Sequence, residues 1–347
     1  MKAAVLEEIG SIRVEETEAP NCVENGIILR VDACAVCGTD VKAFQHGHPA
    51  IDPPVVLGHE LVGTVVEVGS GVGGYYDSER VTVAPAVPCG SCSCCRRGQP
   101  TVCESILDVG LSCDGGFAEY MLVPPAAVAH GSVNKVPDGV SSAAAALTEP
   151  LACCINAHER LGVGPGDVVL VIGCGPMGCL NAMLARALGA SGVLMTDVAP
   201  DRLKLAEVAE ADAYVESGNG DLGQEVLRLS DERGADVIIV ACASPEAQES
   251  ALTLAAPGGR ISFFGGLAQG SPPISFDSNR LHYQELTVLG NHGSTPTQNC
   301  TALSLIASGR VDAESIVTDR YGLEDIVEAF RAARRKEGLK VLVEMHH

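Results

Sequence analysis

Five consecutive apolar residues, Val168-Val169-Leu170-Val171-Ile172, run directly into Gly173-Cys174-Gly175-Pro176-Met177-Gly178 and then into a helical pattern from about Met177 to Leu188. A G-x-G-x-x-G string alone says little, but a strand before it and a helix after it make a dinucleotide fingerprint. The glycines permit the tight turn and let a pyrophosphate approach the helix N-terminus, where backbone N–H groups converge. The pattern continues with the strand Val193 to Asp197, a helix over Asp201 to Glu210, and strands at Val237 to Val240 and Arg260 to Phe264. Strand and helix in alternation predict a parallel, doubly wound α/β sheet. Asp197 ends the second strand, roughly 20 residues past the last glycine, the spacing this fingerprint requires. A carboxylate there accepts hydrogen bonds from both ribose hydroxyls and repels a 2′-phosphate, which favours NAD over NADP. Arg202, five residues on, can cover the adenine or the ribose.

The first 150 residues have a different texture. Val62 to Gly69 and Val81 to Pro85 read as short strands, and helical character is confined to Thr39 to Gln45 and the neighbourhood of Glu149. From about 291 the chain becomes mixed again, with helices near Thr301 to Ser308 and Leu323 to Arg334. A length of 347 residues is enough for two domains with separate cores. The β-rich part holds Cys89, Cys92, Cys95 and Cys103 at C-x2-C-x2-C-x7-C spacing. Four thiolates so placed close a tetrahedral zinc site with no open position, so that metal is structural. The surrounding loop, rich in Gly, Ser and Arg, has little apolar material to hold its shape.

The net charge of −21 argues against nucleic-acid or anionic-membrane partners and is compatible with a small neutral or cationic substrate. No stretch reaches the ~18 apolar residues of a membrane span. Fifteen cysteines without a secretory leader point to a reducing cytoplasm. The final His346-His347 reads as a tag remnant and is given no function.

Two further segments carry metal-ligating side chains: Cys37-Gly38-Thr39-Asp40 and Gly58-His59-Glu60. A catalytic zinc takes about three protein ligands and keeps one position open. Glu149, just before Pro150, is a candidate third ligand.

In order along the chain, the Cys37 segment, the His59 segment, the four-cysteine lobe, the glycine fingerprint and Asp197 resemble the medium-chain zinc-dependent alcohol dehydrogenase family over nearly the whole length. The resemblance implies a GroES-like, β-rich catalytic domain (1–151, with the structural zinc lobe at about 86–106), a Rossmann domain (152–290) and a C-terminal segment (291–347) that returns to the catalytic domain. Leu147-Thr148-Glu149-Pro150-Leu151 is most similar to the polyol and threonine dehydrogenase branch, where Glu stands in place of a cysteine ligand. That likeness implies a catalytic zinc lined by Cys37, His59 and Glu149, and therefore two zinc ions per chain with NAD. Glu60 matches a residue that ligates zinc in some members and lies behind the ligands in others. Cys153 and Cys154 are nearby competitors.

The implied reaction is hydride transfer from a secondary alcohol to NAD through a zinc-bound alkoxide, with Thr39 relaying the proton. Lys42 occupies the place where many relatives carry a relay histidine. With a reference pKa near ~10.4 a lysine shuttles protons poorly at neutral pH, so Lys42 ends the relay differently or serves near cofactor or substrate. His46 and His48 read as surface residues that can face the substrate. A carboxylate in place of a thiolate makes the metal harder and suits a chelating vicinal diol. The absence of Trp points to a polar pocket, and Asn279 to Glu285 resembles the sugar-alcohol side of the family. The expected substrate is a polyol, sugar alcohol or cyclitol. An L-threonine 3-dehydrogenase and a catalytically silent nucleotide-binding protein are the alternatives. By analogy a homotetramer or homodimer is expected, with Leu286 to Leu289 as the pairing edge.

Overall fold

A computed structural model of the chain describes residues 1–218, 222–268 and 270–345; His346 and His347 lie outside them. The chain divides into two compact units, Met1–Ala152 with Gly293–His347, and Cys153–His292.

The first unit is built on the strand Ile27–Ala35. Its residues are buried except Arg30 and the half-buried Asp32, because neighbours cover it on both edges. The sheet order is Val133–Lys135, Arg80–Val83, Glu60–Val68, Ile27–Ala35, Lys340–Glu344 and Val317–Gly322, and Tyr120–Val123 also pairs with Ile27–Ala35. Two strand registers converge on one residue. Ala35 pairs with Glu60 on one side and with Leu342 on the other. The carboxylate of the His59 segment and the C-terminal strand therefore meet at the same end of the central strand, just before Cys37. The C-terminal segment also enters the core: Phe330, in the helix Ile326–Arg335, packs edge-on against Phe117 at 5.6 Å and Phe44 at 5.8 Å between ring centroids. Rings so placed add to their apolar burial the attraction of a positive edge for a negative face.

The second unit is a six-stranded, wholly parallel sheet in the order Ala213–Glu216, Gly192–Asp197, Val168–Ile172, Ala235–Val240, Ala255–Phe263 and Thr287–Gly290. Every residue of Val168–Ile172 is buried, as a strand covered on both faces demands. The chain leaves this strand toward opposite sides, so the crevice that doubly wound sheets use for ligands opens at its carboxyl end. The sequence patterns missed Ala213–Glu216 and the helix Leu222–Leu229. The strand has no buried residue, so its pattern carries no apolar run. The expected helix over 201–210 is a helix at Pro200–Leu205 followed by a 3₁₀ turn at Ala206–Ala209. Among the described residues, no helix is long and apolar enough to cross a membrane.

Candidate active site

Cys37 is the N-cap of the helix Gly38–His46, and the first turn holds it from two directions. Its Sγ accepts from the Thr39 N–H at 3.4 Å, while Asp40 Oδ2 accepts from the Cys37 N–H at 2.9 Å. This reciprocal capping box satisfies two otherwise orphaned donors and aims the sulfur. Asp40 is fully buried, and its other oxygen, Oδ1, lies 3.4 Å from His59 Nδ1. Burial disfavours a charged imidazole there, yet Asp40 and Cys37 outweigh it and hold the His59 pKa well above its usual value. The carboxylate beside the ring fixes its orientation, as it does behind metal-ligating histidines in general.

Glu60 is 1% exposed and faces Lys340, which arrives from 280 positions away in sequence. Lys340 Nζ donates to Oε1 at 2.7 Å and sits 2.6 Å from Oε2, off the direction that a hydrogen bond needs, so that oxygen is ion-paired only. Burial raises the Glu60 pKa, Lys340 opposes the shift, and the negative charge of Glu149 adds to it. For Lys340, burial acts against the ammonium, but Glu60 and Cys37 prevail and its pKa is raised.

Donor atoms of Cys37, His59 and Glu60 all lie within 4.8 Å of one another. Zinc bonds of about 2.0–2.3 Å can gather such a spread, and the S, N, O set suits zinc. Asp40 Oδ1, His59 Nδ1 and Glu60 Oε2 are buried without hydrogen-bond partners, a cost that proteins rarely leave unmet without purpose. The residues fit the metal. Glu149 lies half-buried in the first turn of the helix Thr148–Leu161, outside that three-donor group but within electrostatic reach of Glu60 and Lys340. Thr39 is half-buried, Lys42 and His46 are exposed, and His48 accepts from the Ala50 N–H at 3.2 Å. Cys153 and Cys154 belong to the second unit, where the Cys154 thiol points to the Met177 carbonyl at 3.9 Å.

The four-cysteine lobe meets the same test. Its sulfurs lie within 4.8 Å of one another. Backbone N–H groups point at them: Cys89 to Cys103 Sγ at 3.2 Å, Cys92 to Cys89 Sγ at 3.3 Å and Cys95 to Cys92 Sγ at 3.4 Å. Backbone donation from Ser91 and Cys92 lowers the Cys89 pKa to about 6. No residue from 88 to 106 is buried, so no apolar core shapes this segment.

In the second unit, Gly173 has φ +110°, and a Cβ on Gly178 would stand 1.9 Å from the Gly173 carbonyl oxygen. Turn geometry and helix–strand packing therefore require both glycines. Gly175 is different: only the far end of Arg202 comes within 3.5 Å of its would-be Cβ, so internal packing does not demand glycine, whereas close approach of a pyrophosphate does. The helix Pro176–Ala187 starts with no side-chain cap, leaving the Met177 and Gly178 end open to an anion. Asp197 is tied to the same loop, accepting from the Cys174 N–H at 2.8 Å and the Ala199 N–H at 3.1 Å.

Residues 24–138 match the alcohol dehydrogenase GroES-like domain, and residues 176–308 match the zinc-binding dehydrogenase domain. A sorbitol dehydrogenase of Halalkalibacterium halodurans is 32% identical over 99% of this chain and 99% of its own. The chain belongs to the medium-chain zinc-dependent alcohol dehydrogenase family. An L-threonine 3-dehydrogenase of Pyrococcus abyssi is 34% identical over 94% of this chain and 93% of its own. The crystal structure of a zinc-binding dehydrogenase from Sinorhizobium meliloti 1021, bound to NADP, superposes with a TM-score of 0.91 at 32% identity, covering 99% of both chains. The protein is thus an oxidoreductase of a zinc- and nicotinamide-dependent family, with a GroES-like part and a Rossmann part.

Sequence reasoning named Cys37, His59, Glu60 and Glu149 but not Lys340, and it gave Asp40 no role. The signal for Lys340 was a charge at the head of the apolar run Val341-Leu342-Val343. For Asp40 it was a carboxylate three residues past a capping position.

Proposed function

We propose that this enzyme oxidises a secondary hydroxyl of a polyol, sugar alcohol or cyclitol to a ketone and passes the hydride to NAD⁺. The supporting observation is the buried cluster Cys37–His59–Glu60 with Glu149 in electrostatic reach: a metal site rich in carboxylate, suited to a substrate rich in hydroxyls. Cys37 and His59 hold the catalytic zinc together with an acid, Glu149 or Glu60. When bound, zinc supplies Lewis acidity that makes a substrate hydroxyl easier to deprotonate. Asp40 keeps the His59 ring in register. The Thr39 hydroxyl, on the first turn beside Cys37, takes the alcohol proton and passes it outward. Lys42, exposed one turn along the same helix, stands at the solvent end of that path.

The Gly173–Gly178 turn and the open N-terminus of its helix hold the pyrophosphate, with Arg202 over the loop. Asp197, pinned by two backbone N–H groups, selects NAD by refusing a 2′-phosphate. A second zinc fills the Cys89–Cys92–Cys95–Cys103 lobe. The strand Thr287–Gly290, at the sheet edge, is the surface for pairing two copies into a homodimer, the unit of a homotetramer. The working compartment is the cytoplasm.

NADH formation from NAD⁺ is the test, with sorbitol, myo-inositol, butane-2,3-diol, an aminocyclitol and L-threonine, before and after chelation. Chelator-sensitive turnover of one or more of the hydroxylated substrates is expected. Turnover of threonine alone would replace the polyol reading with an amino-acid one.

A further inference from the structure

We propose that Lys340 is a positioning residue that holds the Glu60 carboxylate off the catalytic metal, so that the site keeps an open position for substrate. The inference rests on the reading that Cys37, His59 and an acid hold zinc. Glu60 lies within 4.8 Å of the Cys37 and His59 donor atoms, and Glu149 is within electrostatic reach of Glu60 and Lys340. If both carboxylates joined Cys37 and His59, a four-coordinate zinc would be closed, which is the pattern of a structural site. Something must keep one of them away.

The geometry points to which one. Both Glu60 oxygens are within 2.7 Å of the Lys340 ammonium, and both side chains are almost wholly removed from water. Glu149 is the more exposed of the two acids, half-buried at the start of its helix. Strand pairing fixes the arrangement: Ala35 is flanked by Glu60 and Leu342, and the Val36 N–H donates to Val341 O at 2.9 Å, setting Lys340 beside the Cys37 end of the central strand. Charges then balance. A bound dication would meet the Cys37 thiolate and the Glu149 carboxylate, while Glu60 meets Lys340. Without the ammonium, Glu60 becomes an unpaired buried anion within 4.8 Å of the other metal donors. Such a charge is costly until it finds a partner, and the metal is the nearest cation.

The consequence differs from that of ordinary structural damage. Loss of packing would loosen the metal, whereas release of Glu60 tightens it and closes the site. The test uses zinc- and cobalt-loaded holoenzyme of the wild type, Lys340→Met, Lys340→Arg and Lys340→Met/Glu60→Gln. Zinc per chain is counted, the rate of catalytic-metal loss to a chelator is followed, and the visible cobalt spectrum is recorded with and without imidazole as an added ligand. For Lys340→Met, slower metal loss than in the wild type, a cobalt spectrum unresponsive to imidazole and reduced turnover are expected. Lys340→Arg should restore the wild-type spectrum, and the double variant should return metal loss to the wild-type rate. If Lys340→Met does not fold, Lys340→Gln carries the same expectation. Metal loss at the wild-type rate or faster in the uncharged variants overturns the proposal. A wild-type count of one zinc per chain overturns the underlying reading instead, and the wild type alone reveals it.

Discussion

Replacing His158 by glutamine should flatten the acid side of the protein's stability curve. His158 is 0% exposed, and its Nε2 faces Asn181 Oδ1 at 3.1 Å. Asn181 in turn donates to the Met177 carbonyl at 2.7 Å, bracing the first turn of the helix that carries the nucleotide fingerprint. Burial pushes the His158 pKa down to about 4, with Asn181 opposing only in part. An unfolded histidine titrates near ~6.5. The folded value is the lower one, so the unfolded chain binds the proton first. The stabilisation is complete above pH ~6.5, declines as pH falls, and is gone below the folded value. A gap of about 2.5 units corresponds to about 3 kcal/mol in all, of which about 2 kcal/mol is lost by pH 5. Urea unfolding of wild type and His158→Gln at pH 7 and pH 5 isolates this from other titrating groups. The wild type should lose about 2 kcal/mol more than the variant between the two pH values. Equal losses in the two proteins would refute the reasoning, because they would show that His158 does not titrate on unfolding.

Cys103→Ser should remove one zinc per chain and leave the other, since nothing buried between 88 and 106 can replace the metal; atomic absorption that still finds two would contradict this. Asp197→Ser should lower kcat/KM for NAD⁺ by about 10- to 100-fold, the worth of a lost hydrogen bond to a charged group, while raising that for NADP⁺. An unchanged ratio would remove Asp197 from cofactor selection. Gly178→Ala would place a methyl 1.9 Å from a carbonyl oxygen, so a stability loss of at least about 1–3 kcal/mol and weakened NADH fluorescence enhancement are expected.

The parts of this protein legible in its sequence are those where chemistry depends on neighbours along the chain. The glycine turn and the Cys89–Cys103 spacing are both local, and each needs particular residue types at fixed intervals. The doubly wound sheet was legible for a related reason, because Val168–Ile172 is buried on both faces and reads as an uninterrupted apolar run. Ala213–Glu216 was not, since an edge strand half-covered on both faces has no such pattern. Lys340 was missed because its meaning is a pairing across 280 positions, created by strand registers that no local pattern encodes. Glu149 was named from the local resemblance, whereas the three donors the fold brings within 4.8 Å include Glu60.

Whether the Cys37 cluster holds the metal on which alcohol oxidation depends is tested most directly by one set of measurements on wild type and Cys37→Ala. Zinc per chain, NADH binding and NADH formation from the best polyol are followed together. Two zinc ions are expected in the wild type and one in the variant, with NADH binding kept and turnover lost. Two zinc ions in the variant, or turnover that survives, would contradict the assignment.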